Sequence, residues 1–284
     1  MMEPSGKYNR LLVAVDGSAS SLHALEQAFR LVANWISVVS VAPVYQGDLR
    51  LVGVPDPRAV MTEPCNTALV KAQEMADAAG ALIKTVCAIG EPHEGIVDRA
   101  EAESRDLIVM GAKGHSFIER ALLGSVTRRV IGYSQKEVLV VPFQAQVGWE
   151  KILLATDASP AGEAAAARAL DLAWAYGSAL QVVAVTEFPA RLYGEAQVTD
   201  AWRDRLLAHV EGIAAQAKSR NLPATGLVLE GTPYKAIVDL AQKEKSSLIV
   251  MGAHGHTGLK RLLMGSVTER VIGHAPCPVL VVRG

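Results

Sequence analysis

The sequence predicts an α/β protein of two tandem domains, each a five-stranded parallel sheet covered by helices on both faces. Three observations support this. The 284 residues are long for one compact domain and suit two of about 140. The second half repeats the glycine and aspartate pattern of the first. In both halves, short apolar runs alternate with helical segments, an order that produces parallel strands joined by right-handed crossovers.

The internal repeat has a register of 141 residues. The segment 122–132 is echoed by 263–273, whereas in the middle of the halves 38–41 aligns with 182–185 at an offset of 144. A period this long indicates duplicated domains, since the units of a solenoid are only ~20–50 residues. We therefore place the domains at residues 1–146 and 147–284. The pairs that share the 141-residue offset include Asp16 with Asp157, Gly90 with Gly231, Gly111 with Gly252 and Gly124 with Gly265.

The first half contains five apolar runs that predict strands. Ser18 or Ser20 is placed to cap the helix after the first strand, and Pro92 suits the first turn of a later one. Residues 43–64 contain four prolines and two glycines, which predicts a loop long enough to cover a site. A helix should follow from Cys65 to Ala79. The strands are predicted at residues 10–16, 37–42, 82–88, 106–110 and 137–141.

The second half repeats this series after a predicted linker at residues 142–150. Its strands are predicted at residues 151–156, 180–186, 225–229, 247–251 and 278–282. A long helix between the second and third of them carries one apolar stripe, which we assign to the core. The stripe consists of Val198, Trp202, Leu206, Val210, Ile213 and Ala217.

A glycine loop follows the fourth strand of each half, with the spacing G-x2-G-x9-G-S. Between a strand and a helix start, glycines let the backbone approach an anion, and the helix N–H groups point at it. Ligands of open parallel sheets bind beyond the carboxyl ends of the strands, where the strand order reverses. An aspartate that ends strand one shares this site if strands one and four are neighbours.

This arrangement predicts a nucleotide site in each half. The aspartate would accept hydrogen bonds from ribose hydroxyls, the glycine loop and serine would take phosphates, and the end of strand two would wall an adenine. The candidate nucleotide-binding residues are Asp16, Val41, Gly111, Gly114, Gly124 and Ser125 in the first half, and Asp157, Val185, Gly252, Gly255, Gly265 and Ser266 in the second.

These motifs, together with the closing Val-Leu-Val-Val strands, resemble the ATP-binding branch of the universal stress protein family. The resemblance covers nearly the whole chain, twice. It implies a Rossmann-like sheet of order 3-2-1-4-5, a stress-response role, and ATP (or ADP or AMP) as ligand, accompanied by Mg²⁺. It also implies dimerisation through the last strand. One departure is Ala158, which stands where the first half has Gly17; we expect it to tighten that turn and weaken the second site.

Composition indicates a cytoplasmic protein without nucleic-acid or membrane partners. The net charge is −1, no apolar run approaches the ~20 residues of a membrane span, and no signal peptide is visible. Cys65, Cys87 and Cys277 are odd in number and far apart in sequence, so we expect free structural thiols in a reducing compartment.

Other chemistries fit the sequence less well. His254, His256, His274 and Cys277 lack the paired spacing of structural zinc, so no metal site is predicted. Instead, Lys113 and the two loop histidines would help to neutralise phosphate. A P-loop is absent, and no histidine pair lies near strand one, as adenylyl transfer would need. A flavin or electron-transfer domain stays an alternative.

No catalytic base stands out, so we expect slow ATP turnover at most. The rival function is a nucleotide-free, stress-linked interaction scaffold.

The last strand of each half, at 138–141 and 279–282, is an apolar edge. Because exposed apolar edges promote aggregation, we expect the two to cover each other within the chain as a pseudo-dimer. Homodimerisation of the whole chain is a further possibility.

Overall fold

The computed structural model describes residues 7–31, 35–44, 56–114, 123–187, 196–255 and 264–283. They divide into two compact units. The first half is Tyr8–Gln144, and the second half consists of the described residues from Ala145 onward, with which Lys7 packs. Within these ranges, no helix combines the length and the apolar character that a membrane span requires.

The first half is a doubly wound sheet of five parallel strands in the order β3-β2-β1-β4-β5. The predicted order 3-2-1-4-5 is thereby confirmed, and β1 and β4 are neighbours. Its elements are β1 (Arg10–Ala14), α1 (Ala19–Ala28), β2 (Trp35–Ala42), α2 (Pro57–Ala79), β3 (Ile83–Ile89), α3 (Pro92–Ala102), β4 (Leu107–Gly111), α4 (Ser125–Tyr133) and β5 (Glu137–Val141).

The second half has the same topology, with parallel strands in the order β8-β7-β6-β9-β10. Its elements are β6 (Lys151–Ala155), α5 (Pro160–Tyr176), β7 (Ala179–Thr186), α6 (Ala196–Ser219), β8 (Ala224–Glu230), α7 (Pro233–Lys243), β9 (Leu248–Gly252), α8 (Ser266–His274) and β10 (Val279–Val282).

The central strands form the core of each sheet. Every residue of β4 and of β9 is buried, as expected for parallel strands covered on both faces. In the first half, α2 packs across β2 and β3, while α3 and α4 pack against each other. This layering leaves the carboxyl ends of the strands open between the helices, which is where the candidate site lies.

Helix α2 is longer than its sequence pattern predicts. The loop expected at residues 43–64 is wrong from Pro57 onward, because the helix begins there. The Asp56 carboxylate accepts a hydrogen bond of 3.0 Å from the Ala59 N–H, and Pro57 occupies the first turn, where a missing N–H is tolerated. Pro64 lies inside the helix. The prediction was wrong because the Asp56 cap, which favours a helix, outweighs the helix-breaking effect of the prolines.

The apolar stripe on α6 is only partly core. Leu206, Val210, Ile213 and Ala217 are buried, but Trp202 is 43 % exposed, so its assignment to the core is wrong. The likeness to α2 explains this. The first buried residue of α2 is Cys65, which corresponds to Leu206 in the 141-residue register, and the described residues of α6 that precede Leu206, 201–205, are all exposed.

The cysteines are not all free. Cys65 on α2 and Cys87 on β3 form a disulfide with Cα atoms 6.1 Å apart, so the expectation of free thiols is wrong for this pair. The 22-residue separation concealed it, because a helix and the strand that follows it run antiparallel and bring the two positions together. Cys277 is a buried thiol, and burial raises its pKa to about 12.

A buried ionic network lies at the opposite end of the first sheet from the strand ends described below. The Glu103 carboxylate accepts hydrogen bonds from Ser37 Oγ (2.7 Å), Lys84 Nζ (2.9 Å) and Arg105 Nε (3.0 Å). Arg105 is only 4 % exposed. Burial by itself would raise the pKa of Glu103, but these hydrogen bonds and the Arg105 charge outweigh it and lower the pKa to about 2.

Candidate functional site

A cavity of about 270 Å³ opens at the carboxyl ends of β1, β2 and β4. It lies where the chain leaves β1 in one direction and β4 in the other, the position at which open α/β sheets bind ligands. All six residues predicted for the first half line it. They come from four separate segments of the chain: Asp16, Val41, the pair Gly111 and Gly114, and the pair Gly124 and Ser125.

Asp16 is held by the turn that follows β1. Its Oδ1 accepts hydrogen bonds from the Ser18 N–H (3.0 Å) and the Ser18 hydroxyl (2.6 Å). The Asp16 N–H donates to Ser21 Oγ at 3.2 Å. The cap of α1 is Ser18, whose hydroxyl accepts from the Ser21 N–H. Asp16 is therefore not itself the helix cap, and its carboxylate sits at the cavity in a defined orientation.

Two glycines of the first loop are required by close approach. A Cβ atom at Gly111 would lie 2.7 Å from the backbone oxygen of Ser20, and a Cβ atom at Gly114 would fall on Oδ2 of Asp16. At Gly124 the nearest atom would be 3.5 Å away, which is ordinary contact. None of the three has a positive φ, so close approach rather than backbone conformation requires glycine at Gly111 and Gly114.

Helix α4 presents its amino terminus to the cavity. The cap position is Gly124, so no side chain caps the first turn, and Ser125, Val126 and Thr127 line the cavity. Uncapped N–H groups and the helix dipole both favour an anion at this point. The Thr127 hydroxyl donates to the carbonyl of Gly111 at 3.1 Å, which ties the helix start to the end of β4. Lys113 adds a positive charge to the cavity wall.

The second half repeats this geometry. A Cβ atom at Gly255 would fall on Oδ2 of Asp157, and one at Gly252 would lie 2.8 Å from the carbonyl carbon of Ala161. Helix α8 begins at Ser266 with Gly265 at the cap and no capping side chain. The Thr268 hydroxyl donates to the Gly252 carbonyl at 3.0 Å. Val185 lies next to the last residue of β7, much as Val41 does in β2.

The turns after β1 and β6 share one backbone conformation but not one residue type. Gly17 has a φ of 82° and Ala158 a φ of 61°. Both lie in the left-handed region, where a Cβ atom is strained. The turn is thus preserved in the second half, and the alanine carries the strain.

We expect Ala158→Gly to raise the free energy of unfolding of the second half by about 1 kcal/mol, because it removes this strain. Urea denaturation measures the change. The matched variant, Gly17→Ala, should lower the stability of the first half by a similar amount. A destabilising Ala158→Gly would show that the left-handed turn is not strained.

The hydroxyl that accepts a backbone N–H of this turn comes from different positions in the two halves, and it bonds to a different residue of the turn. In the first half, Ser21 on α1 accepts the Asp16 N–H, and Val15 precedes the aspartate. In the second half, the corresponding residues are Gly162 and Thr156. The Thr156 hydroxyl accepts a hydrogen bond from the Ala158 N–H at 3.2 Å.

A hydroxyl side chain on the helix and one at the strand end cannot both fit in the same turn without a steric clash. A Cβ atom at Gly162 would lie 2.8 Å from Thr156 Oγ1. Thr156 therefore occupies the space that Ser21 fills in the first half. A hydroxyl has moved from the helix to the strand end, while the aspartate keeps its place.

A polar chain found only in the second half extends from this hydroxyl. His209 Nε2 lies 3.3 Å from Thr156 Oγ1, and His209 Nδ1 lies 3.4 Å from Glu163 Oε1. The chain links α6 and α5 to the strand end beside Asp157. Sequence reasoning missed it, although the repeat contained a signal: all three corresponding positions in the first half are apolar. They are Val15, Leu22 and Ala68.

The two candidate sites differ in charge near the starts of α4 and α8. Lys113 is replaced by His254 in the second half, and Arg128 in the first turn of α4 is replaced by Glu269 in that of α8. A carboxylate at a helix amino terminus competes with a bound anion for the dipole. His256, the other predicted loop histidine, lies outside the described residues.

The predicted cap at Ser18 is confirmed, but sequence reasoning missed its hydrogen bonds to Asp16. It also missed Ser21 and the two threonines that bond to the strand ends. The threonines could have been found, since both lie in the best-conserved segment of the internal repeat, at 125–132 and 266–273.

Two doubly wound sheets, each with a glycine loop against an aspartate at its switch point, define a tandem Rossmann-like protein. The universal stress protein family is matched twice, over residues 7–142 and 148–283, and the chain therefore belongs to that family.

Its relatives are similar over one half or over the whole chain. A universal stress protein of Methanocaldococcus jannaschii is 37 % identical over 141 residues, which are 48 % of this chain and 82 % of that protein. One from Thermus aquaticus is 39 % identical over 137 residues, 48 % of this chain and 99 % of that protein. A solved universal stress protein of Archaeoglobus fulgidus has the same fold over 98 % of this chain and 97 % of its own, with a TM-score of 0.74 and 23 % identity.

Proposed function

We propose that each half of this protein binds an adenine nucleotide, with ATP the principal ligand, and that the first half binds it more tightly. One observation carries the proposal. Six residues chosen from the sequence for nucleotide chemistry, from four separate segments, line a single cavity at the switch point of the first sheet.

Each part of the nucleotide has a matching part of the cavity. Asp16 would accept hydrogen bonds from the ribose hydroxyls, because a carboxylate attracts hydroxyl donors and repels phosphate. The loop from Gly111 to Gly114 and the amino terminus of α4 would receive the phosphates, with Lys113 and Mg²⁺ offsetting their charge. Val39 and Val41 of β2 would wall the adenine.

The second half would use the same roles at Asp157, Val185, Gly252, Gly255, Gly265 and Ser266. Its affinity is expected to be lower for reasons of charge. The first site presents Lys113, and the second presents His254, with Glu269 in the first turn of the helix that would face the phosphates.

Binding, rather than rapid hydrolysis, fits this site. Among the described residues that line the cavity, Asp16 supplies the carboxylate, and its Oδ1 is engaged by Ser18. In its proposed place beside the ribose it cannot position a water at the terminal phosphate. We propose a regulatory nucleotide-binding protein with slow ATP turnover at most, composed of two domains at residues 1–146 and 147–284.

Titration calorimetry with ATP, ADP and AMP on nucleotide-stripped protein tests the proposal. We expect two sites of unequal affinity. Asp16→Ala should weaken binding of ATP to the tighter site by about tenfold, the loss of a charge-assisted hydrogen bond, and should leave inorganic phosphate binding nearly unchanged. Asp157→Ala is the matched variant and should affect the weaker site alone.

Two results would contradict this proposal. An equal loss of ATP and phosphate binding in Asp16→Ala would place this residue outside the ribose subsite. Failure of the folded protein to bind any of the three nucleotides at millimolar concentration would leave the interaction scaffold as the function.

A further inference from the structure

We propose that Cys65 and Cys87 are a reversible dithiol–disulfide pair that regulates nucleotide binding in the first half, while the second half is insensitive to redox state. This inference rests on the proposed function, since the regulated site is the cavity that contains Asp16. The bond joins α2 to β3. Strand β3 pairs with β2, which lines the cavity, and the start of α2 borders a neighbouring cleft that also contains Asp16.

Strand pairing brings Cys87 close to the cavity. Cys87 pairs in register with Ser40 of β2, and Ser40 is one of the residues that line the cavity. Paired residues on neighbouring strands project to the same face of a sheet. Because Cys87 is bonded to α2, Ser40 also lies on the face that α2 covers. The disulfide is thus one residue across the sheet from the cavity wall.

The bond is also the first firm attachment of α2. Cys65 is the first buried residue of this helix and is only 3 % exposed, whereas residues 57–64 are exposed or half-buried. Pro64, immediately before it, has no N–H, so one hydrogen bond of the helix is missing there. The start of α2 is therefore held to the sheet chiefly at Cys65.

This start of α2 forms a wall next to Asp16. Glu63, Pro64 and Thr67 border a second cleft of about 360 Å³ together with Asp16 and Gly17. With the disulfide formed, the wall is fixed beside the residue that would select ribose. With it reduced, the wall depends on the packing of α2 from Cys65 onward, and ordering it must accompany binding.

The second half has no cysteines at the corresponding positions. In the 141-residue register, Cys65 corresponds to Leu206 on α6, and Cys87 to Val228 on β8. Leu206 is buried. The second half therefore has two apolar side chains at the corresponding positions of the helix and the strand, and no reductant alters them. It provides an internal control within one chain.

The exchange chemistry balances with a small dithiol as reductant. Cys87 is half-buried and Cys65 is buried, so a thiolate of the reagent attacks Cys87 Sγ and releases the Cys65 thiolate, which takes up a proton. The second reagent thiolate then displaces Cys87, which is also protonated, and the reagent leaves as a cyclic disulfide. Two electrons and two protons pass to the protein. Glutathione disulfide reverses the reaction and is reduced to two thiols.

Cys277 should not interfere with this exchange. It is buried, and desolvation raises its pKa to about 12. A thiol that stays protonated at neutral pH is a poor nucleophile for disulfide exchange.

The experiment compares ATP binding to the full chain in its oxidised and reduced forms. Gly255→Val in the second half leaves the first site as the reporter. We expect the oxidised form to bind ATP about 5- to 10-fold more tightly than the dithiothreitol-reduced form, a moderate coupling between sites. Alkylation with N-ethylmaleimide under denaturing conditions, followed by mass spectrometry, should show one modified cysteine before reduction and three after it.

Two variants complete the test. Cys65→Leu with Cys87→Val copies the second half, and its ATP affinity should not respond to dithiothreitol. Gly114→Val, which leaves the second site as the reporter, should show the same indifference. Hydrogen exchange should accelerate over residues 57–67 when the wild-type protein is reduced, and should stay constant at the start of α6.

Three results would overturn the proposal. Alkylation of all three cysteines after incubation with glutathione disulfide would mean that the bond does not form. Equal ATP affinity in the two redox states, with the bond shown by mass, would make the disulfide a structural link only. Absence of ATP binding in both states would refute the proposed function itself, and hydrogen exchange would still report whether the bond fastens α2.

Discussion

Valine at Gly114 is expected to weaken ATP binding to the first half by roughly 10- to 100-fold without unfolding the domain. Any Cβ atom at this position falls on Oδ2 of Asp16. The carboxylate must therefore leave its place beside the cavity, and the larger side chain fills the phosphate loop. Overpacking costs about 1–3 kcal/mol, and tenfold in affinity corresponds to about 1.4 kcal/mol. The fold survives because the displaced group is an exposed side chain.

Calorimetry with ATP measures this effect in the Gly255→Val background, where the first site alone remains. Gly124→Ala is the comparison variant, because its new Cβ atom meets no protein atom closer than 3.5 Å and leaves Asp16 in place; it should lose less affinity than Gly114→Val. The double variant Gly114→Val with Gly255→Val should retain no ATP site of wild-type affinity. Unchanged affinity in Gly114→Val would show that Asp16 and this loop do not share a ligand.

Glutamine at Glu103 is expected to destabilise the first half by about 3 kcal/mol. The substitution removes the charge that compensates Arg105, which is 4 % exposed, and a buried charge left without its partner is strongly destabilising. Urea denaturation measures the loss. The control is Glu244→Gln in the second half, where the carboxylate pairs with Lys151 at the surface, and the change there should be small.

Glu103 should also shape the acid stability of the first half. Its pKa is lowered from 4.5 to about 2 in the folded protein. A carboxyl group with a depressed folded pKa contributes stability above its unfolded pKa, and this contribution disappears as the pH falls. Wild-type stability should therefore decline between about pH 4.5 and pH 2, and Glu103→Gln should lack this part of the decline. Parallel pH profiles of the two proteins would contradict this role.

The fold and the candidate residues could be predicted because the chain contains its own comparison. A single strand–glycine–helix pattern has several explanations, but the same spacing at Gly111 and Gly252 favours the interpretation as a ligand-binding loop in each half. The strand order follows in turn, since an aspartate and a glycine loop can share a site only if β1 and β4 are neighbours, as they are.

The errors arose where tertiary contacts outweigh local pattern. Pro64 suggested a loop, yet the Asp56 cap and the packing from Cys65 onward sustain a helix through it. Trp202 fits an apolar stripe but lies in the exposed stretch of α6 that precedes Leu206. The disulfide and the chain from Glu163 through His209 to Thr156 join residues from separate elements, and no single-sequence periodicity records such pairings.

The displaced hydroxyl beside the two aspartates has a consequence for how the halves can diverge. Serine at Gly162 would collide with Thr156, and glycine at Ser21 would strip the Asp16 N–H of its acceptor. Converting one turn into the other takes two substitutions. The protein that carries only the first of them is either crowded or short of one hydrogen bond. The paired positions should thus show strong epistasis: each single exchange harmful, the double exchange nearly neutral. Two halves that began with the same sequence would then remain different at these positions, because the place of one hydroxyl oxygen decides which residues fit.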